Sequence, residues 1–301
     1  MASTFKIDFF VIGAARSGTT SLYTYFKQHP EIFLPLTKET NYFSKVSSKE
    51  KRHSKKPKPD VEYHSKIINN LEVYKDLFHN ATSSQIKGDI SPSYMWDKET
   101  ALRIHKHNPN AKIIFSLRNP IQRAFSHYIM NFNTGHESIT NFYDAFMADS
   151  EGVWGGGNLY KELSLYYESL KQYYSLFPKE NIHSLIFEDW TLNKEESFNA
   201  LFSFLGIKQM KINDLELHNK NKEYANIKLL NSLRNTWLRP LLQNLFSEDK
   251  RTSIKNKLFK EANKKTVLSS TEEDKIKELF SEDVTKTSSL IGIDLNAKWN
   301  L

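Results

Sequence analysis

Residues 9–22, FFVIGAARSGTTSL, run from an apolar stretch through a loop bounded by Gly13 and Gly18 into a Thr-Thr-Ser helix opening. A strand, a tight loop and a helix N-terminus in that order turn backbone N–H groups and the positive end of a helix dipole onto an anion. In a nucleoside-triphosphate P-loop, G-x-x-x-x-G-K-[ST], the Lys reaches the β/γ-phosphates and the hydroxyl holds Mg²⁺. Here the glycine spacing is kept, but Thr19 occupies the Lys position and the cation has moved forward to Arg16. Such a loop holds phosphate groups without the metal-coupled Lys-Ser/Thr pair, which points to a different nucleotide donor.

The elements around this loop must hold it rigidly. Residues 6–12 are mostly apolar, as in a strand buried on both faces. Thr19–Gln28 reads as a helix stopped by His29-Pro30, and Glu31–Ser44 as a loop with short extended pieces. An amphipathic helix is expected over Val61–His79, a strand over Gln85–Ile90 and a helix over Thr100–His107, broken by Asn108-Pro109-Asn110. Ala111–Leu117 reads as a buried strand, followed by an Arg118-Asn119-Pro120 turn and a helix over Ile121–Asn133. Further on, residues 151–158, EGVWGGGN, form a Gly-rich hinge or lid. A helix over Leu159–Phe177, a strand within Asn181–Glu188 and a helix over Glu195–Leu205 capped by Gly206 come next. Leu229–Phe246 and Glu272–Leu290 also read as helices, the aromatic residues Trp154, Tyr160, Tyr166 and Tyr167 being core rather than pocket lining. Strands alternating with helices predict an α/β fold: a single domain over residues 1–301, with a P-loop-like, mostly parallel central sheet flanked by helices.

Composition bounds the function further. The 301 residues are 39% hydrophobic and 26% charged, enough apolar material for a sizeable core. Cysteine is absent, which excludes disulfides, Cys-ligated zinc and thiol nucleophiles. No apolar run approaches the roughly 20 residues that span a bilayer, and the N-terminal apolar stretch lacks the basic flank of a signal peptide. A cytoplasmic protein without a membrane span is the expectation. Of the net charge of +7, residues 45–58 supply +6 from seven cations and one anion. This basic segment, 45–60, reads as a flexible insertion: a solvated surface loop, or an electrostatic gate for an anionic donor or acceptor. No aromatic residue stands within it to stack on bases, so a nucleic-acid partner is not expected.

Three segments together resemble the sulfotransferases that use 3′-phosphoadenosine 5′-phosphosulfate (PAPS). Arg16-Ser17-Gly18-Thr19-Thr20-Ser21-Leu22 is similar to that family's 5′-phosphosulfate loop. Residues 114–120, IFSLRNP, with Arg123-Ala124-Phe125-Ser126-His127-Tyr128, resemble its 3′-phosphate site. Residues 34–43, LPLTKETNYF, are similar to an element of the heparan-sulfate and bacterial branch. The likeness continues through residues 88–94, GDISPSY, residues 186–189, IFED, and a C-terminal GIDL with Trp299, and so covers nearly the whole chain. Both phosphate motifs begin at predicted strand ends, where open α/β sheets bind ligands.

The resemblance implies roles residue by residue. Arg16, with Ser17, Gly18, Thr19, Thr20 and Ser21, would hold the phosphosulfate; Arg118 and Ser126 would hold the ribose 3′-phosphate, with Arg123 as a second cation or a structural ion-pair partner. Glu39 aligns with the base that activates the acceptor; burial against Tyr42 and Phe43 would raise its pKa toward the working range, the alternative being a surface carboxylate paired with Lys38. Lys38 would bind an anionic acceptor or assist the sulfate. One departure concerns Asp89-Ile90, where the heparan-sulfate branch often carries an acidic residue followed by Lys; this leaves Asp89 an alternative base or acceptor contact, with His127 and His136 as weaker ones. The implied enzyme is a soluble bacterial one that needs no metal and acts on a hydroxyl or amine of a small molecule, lipid or saccharide. A P-loop kinase or NTPase, and a non-catalytic polyanion-binding module resting on the basic segment, are the competing readings.

Overall fold

The computed structural model describes residues 5–44, 68–134, 136–148, 158–213 and 268–301. The basic segment 45–60, nearly all of the Gly-rich 151–158 stretch including Trp154, and the expected helix over Leu229–Phe246 lie outside these residues.

Five strands form one parallel sheet: β1 (Phe9–Gly13), β2 (Ile32–Phe33), β3 (Ile86–Ile90), β4 (Lys112–Leu117) and β5 (Ile182–Ile186), in the order β2-β3-β1-β4-β5. β1 is central, with Phe9 in register with Gly88 on one side and Lys112 on the other. Its apolar run is explained by burial on both faces. Phe9 and Val11 join a cluster with Leu22, Phe26 and Phe202, whereas Phe10 and Ile12 join one with Phe43, Tyr94 and Phe115. Helix α1 (Thr19–Phe26) covers the first face, and α2 (Leu71–Asp76) and α3 (Thr100–His107) the second. From β1 the chain winds toward β2 and β3; after α3 it crosses to β4 and winds toward β5. The direction of winding therefore reverses between β1 and β4, and a crevice opens outside their carboxyl ends.

The second half adds α4 (Pro120–Thr134), α5 (Phe142–Met147), α6 (Tyr167–Leu176), α7 (Phe187–Leu192), α8 (Lys194–Leu205), α9 (Ser270–Ile291) and α10 (Leu295–Trp299). Helix α8 ends at Gly206 in the left-handed conformation, as expected for a C-terminal cap. The expected single helix over Leu159–Phe177 is broken: a 3₁₀ turn at Glu162–Ser164 precedes α6. Long-range partners cause the break, because Asp283 accepts the N–H groups of Tyr166 and Tyr167 while Ser164 is held by Arg123. Tyr160 and Tyr166 are fully buried, in line with a core role. Among the described residues no helix is long and apolar enough to cross a membrane.

Candidate active site

The loop between β1 and α1 lies at the crevice. Arg16 (φ 69°) and Gly18 (φ 85°) both take left-handed backbone, giving the concave backbone that binds anions. Glycine is required at position 18, since an added Cβ would stand 2.3 Å from Trp190 Cζ2. Trp190, on α7, supports the loop from below: its Nε1–H donates to Ser116 Oγ at 3.0 Å, and Ser116 Oγ donates to the Ser17 carbonyl at 2.8 Å. Thr19 and Ser21, in the first turn of α1, are buried, while Thr20 is exposed.

β4 delivers the second cluster. Arg118 Nη1 donates to the Arg16 carbonyl at 3.3 Å, and its guanidinium lies 4.6 Å from the centre of the Phe187 ring. Its own carbonyl accepts from Tyr166 Oη at 2.7 Å. Asn119 caps α4 through Oδ1, which accepts from the N–H groups of Ile121 and Gln122. The Asn119 N–H donates to Glu188, whose other oxygen accepts from Trp299 Nε1 at 3.2 Å, so α10 locks the turn from outside. Sequence reasoning separated Arg16 from Arg118 and Ser126 as two ends of a donor. The structure joins them: Arg16 Nε donates to Ser126 Oγ at 3.1 Å, and Arg16 Nη1 lies 3.4 Å from Met130 Sδ.

Arg123 completes the cluster, fully buried. It is no ion-pair partner: its guanidinium donates to Ser164 Oγ and to backbone carbonyls, and no carboxylate among the described residues pairs with it. Burial lowers all three guanidinium pKa values; Arg118 lowers that of Arg16 further, whereas Glu39 opposes the fall. Arg123 falls to about 10, with Arg16 and Arg118 adding to the effect of burial. His127, buried beside Arg123 and Arg16, is pushed well below the ordinary histidine range and held neutral. Three crowded, desolvated cations make this basin a place where an anion is electrostatically welcome.

The third element is the loop after β2. Glu39 (φ 59°) forms an ion pair with Lys38, its N–H donates to the Ile90 carbonyl at 3.2 Å, and its carboxylate lies within electrostatic reach of Arg16. Burial of Glu39 against Tyr42 and Phe43 is not found; its side chain is 38% exposed. Tyr42 instead stacks on Tyr74 with centroids 4.1 Å apart, and Phe43 packs edge-on against Phe10. Asp89 lies beneath this loop, fully buried. Its Oδ2 accepts from Thr40 Oγ1 (2.7 Å), Tyr74 Oη (2.8 Å) and Tyr94 Oη (2.7 Å), and its Oδ1 from Ser91 Oγ (2.9 Å). Burial raises its pKa although all four hydroxyls pull the other way. This surrounded carboxylate holds the Glu39 loop in place, since Thr40 follows Glu39 and Ser91 Oγ accepts the Asn41 N–H.

The structure thus brings Arg16, Ser126, Arg118 and Glu39 to one crevice, with Lys38 beside Glu39 and Asp89 below. Sequence reasoning gave no site roles to Trp190, Ser116, Phe187 or Glu188, and read Tyr166 as core packing alone. Ser116 carried a signal, a polar residue within an otherwise apolar buried strand; the partners of the other four become visible only once distant segments meet.

Comparison with known proteins places this geometry in context. The pattern described as "Sulfotransferase family" matches residues 8–211. Carbohydrate sulfotransferase 15 of Homo sapiens is 24% identical over 243 residues, covering 66% of this chain and 43% of that protein. The membrane-associated sulfotransferase kil1 of Dictyostelium discoideum is 32% identical over 124 residues, covering 40% of this chain and 22% of that protein. The matched region is therefore less than half the length of these curated relatives. A crystal structure of a sulfotransferase from Alicyclobacillus acidocaldarius shares the fold with a TM-score of 0.73 at 22% identity, covering 99% of this chain and 100% of that one. Mouse sulfotransferase SULT7A1, crystallised in complex with PAP, gives a TM-score of 0.51 at 14% identity, covering 98% and 90% of the respective chains.

Proposed function

The chain belongs to the sulfotransferase family, and from that premise we propose that it transfers a sulfuryl group from PAPS to a hydroxyl or amine of its acceptor. The observation that carries this reading is the convergence of Arg16, Arg118 and Arg123 on the β1/β4 crevice, where Arg118 and Arg123 hold successive carbonyls of the loop and Arg16 reaches Ser126, a cluster of positive charge suited to an anionic ligand. Two buried polar atoms without a hydrogen-bond partner, Ser17 Oγ and Arg118 Nε, fit the same ligand. A nucleoside triphosphate is less well served, because Thr19 stands where a P-loop has its Lys.

The donor supplies a sulfur already bonded to a good leaving group, so the chain's work is positioning and electrostatics. The N–H groups at the start of α1, with the hydroxyls of Ser17, Thr19, Thr20 and Ser21, hold the 5′-phosphate side. Arg118 and Ser126 hold the 3′-phosphate, and Arg16, anchored on Ser126, spreads positive charge between the two ends. Glu39 accepts the acceptor's proton as the new oxygen–sulfur or nitrogen–sulfur bond forms and the sulfur–oxygen bond to phosphate breaks. Lys38 orients Glu39 and attracts an anionic acceptor. Asp89 positions the Glu39 loop and makes no contact with the acceptor. Among the acceptors considered (small molecule, lipid or saccharide), the names of the carbohydrate and heparan sulfate sulfotransferases it resembles favour a saccharide. A cytoplasmic setting belongs to the same proposal and rests on the cysteine-free sequence.

Calorimetry with adenosine 3′,5′-bisphosphate tests the donor. Micromolar binding without Mg²⁺ is expected; absence of binding, with Mg²⁺-ATP bound instead, overturns the reading in favour of a kinase or NTPase.

A further inference from the structure

Three successive carbonyls of the donor loop are each held by a side chain from beneath. Arg123 Nη1 donates to the Ala15 carbonyl at 3.4 Å, Arg118 Nη1 to the Arg16 carbonyl at 3.3 Å and Ser116 Oγ to the Ser17 carbonyl at 2.8 Å. In a trans peptide the C=O and the following N–H point in opposite directions. Holding the Ala15 and Ser17 carbonyls therefore turns the Arg16 and Gly18 N–H groups away from the buried side chains.

Of the three holders, Arg123 is the one that also donates hydrogen bonds to a second segment. Its Nε donates to Ser164 Oγ at 2.6 Å and its Nη2 to the Tyr160 carbonyl at 2.8 Å, while Ser164 Oγ donates toward the Pro120 carbonyl at 3.0 Å. One planar fork thus ties the donor loop, the start of α4 and the turn at residues 160–164 together. Burying a guanidinium without a carboxylate is costly, and a fold has cheaper ways to join three segments. Arg16 and Arg118 add to that cost by repulsion. An anion bound in the adjacent loop offsets it.

We propose that Arg123 is a positioning residue of the donor site: it presets the loop's N–H groups for the donor, and the bound donor is the counter-charge of its buried cation. This rests on the donor reading above. Lys at position 123 keeps the charge and loses the fork.

The test compares the wild-type chain with Arg123→Lys and Ser164→Ala. Each is measured by calorimetry with adenosine 3′,5′-bisphosphate, by donor and acceptor KM, and by circular dichroism. Arg123→Lys is expected to raise the bisphosphate Kd and the donor KM about ten- to hundredfold while acceptor KM stays unchanged. Wild-type affinity in the folded variant, or donor and acceptor KM rising together, overturns the proposal. Where Arg123→Lys does not fold, Ser164→Ala decides, since it leaves the Arg123 cation in place and removes the acceptor of its Nε together with the hydroxyl's own bonds to the Pro120 and Tyr160 carbonyls. A donor-selective rise in KM supports the positioning role, and unchanged donor parameters overturn it. Failure of the wild-type chain itself to bind the bisphosphate overturns the donor reading instead, so the two failures are distinct.

Discussion

Replacing Asp89 by Asn and by Ala separates a positioning carboxylate from a catalytic base. In Asp89→Asn the amide oxygen can take the place of Oδ2 and keep Thr40, Tyr74 and Tyr94 as donors, while the amide nitrogen donates to Ser91 Oγ. Three hydrogen bonds lose their charge assistance, at roughly 1 kcal/mol each. Several kcal/mol of carboxylate desolvation vanish at the same time, so the net change should stay within about 2 kcal/mol, or less than about 8 °C in Tm. Asp89→Ala takes the shared acceptor from four buried hydroxyls, of which Thr40 and Tyr94 keep each other and Ser91 keeps the Asn41 N–H, and should cost about 2–4 kcal/mol. The pH dependence has a definite sign. The native pKa of Asp89 lies above its ordinary 3.8, so the folded chain holds this proton more tightly than the unfolded one. The stability drawn from that protonated form is present below 3.8 and is lost as pH rises through the raised native value; Asp89→Asn removes that slope.

The decisive assay is turnover of labelled PAPS by folded Asp89→Asn beside Glu39→Gln. With Asp89 as a positioning group, Asp89→Asn should lose less than about tenfold in kcat, since its hydroxyl cage persists. Glu39→Gln should lose about 10²–10⁴ in kcat while keeping its affinity for adenosine 3′,5′-bisphosphate. The reverse result, an active Glu39→Gln and a folded but inactive Asp89→Asn, refutes the assignment and moves the base to Asp89.

Gly18→Ala should destabilise the chain by about 1–2 kcal/mol from its left-handed backbone, with roughly 1 kcal/mol more as the new Cβ drives Trp190 from Ser116. A lower Tm, altered tryptophan fluorescence and weakened bisphosphate binding are expected together, and an unchanged variant contradicts the account of the loop. Burial lowers the pKa of His107, His127 and His183, so each is neutral in the fold and takes its proton on unfolding. Their stability contribution is complete above about pH 6.5 and declines below it by up to about 1.4 kcal/mol per pH unit per histidine. Urea titrations at descending pH should show this slope, and His127→Leu should reduce it; an identical slope argues that His127 titrates freely.

What the sequence disclosed, and what it withheld, follows from how far each interaction reaches along the chain. The strand, loop and helix at residues 9–26 were legible because their grammar is local: an apolar strand, Gly13, Gly18 and hydroxyl residues opening a helix all lie within residues 9–22. Helix α3 was read to its end residues because Asn108-Pro109 stops it locally. The stretch 159–177 kept a helical rhythm of Leu and Tyr, and local propensity had no means of showing that Asp283 would seize the N–H groups of Tyr166 and Tyr167. The same limit explains the site. Local motifs and the family resemblance they carry pointed to Arg16, Arg118, Ser126 and Glu39 one by one, but the contacts of Arg16 with Arg118 and Ser126 span gaps of 102 and 110 residues. The resemblance places Arg16 at the phosphosulfate end of the donor and Ser126 at the 3′-phosphate end, and neither motif alone shows that the two side chains touch. The reversal of winding between β1 and β4 supplies the contact between them, because that topology brings the carboxyl ends of two strands together and makes one cationic basin out of two sequence motifs. Spatial convergence therefore couples Arg16 energetically to Ser126 and Arg118, and double-substitution cycles on bisphosphate affinity should show the three to be non-additive, additive effects contradicting the shared basin.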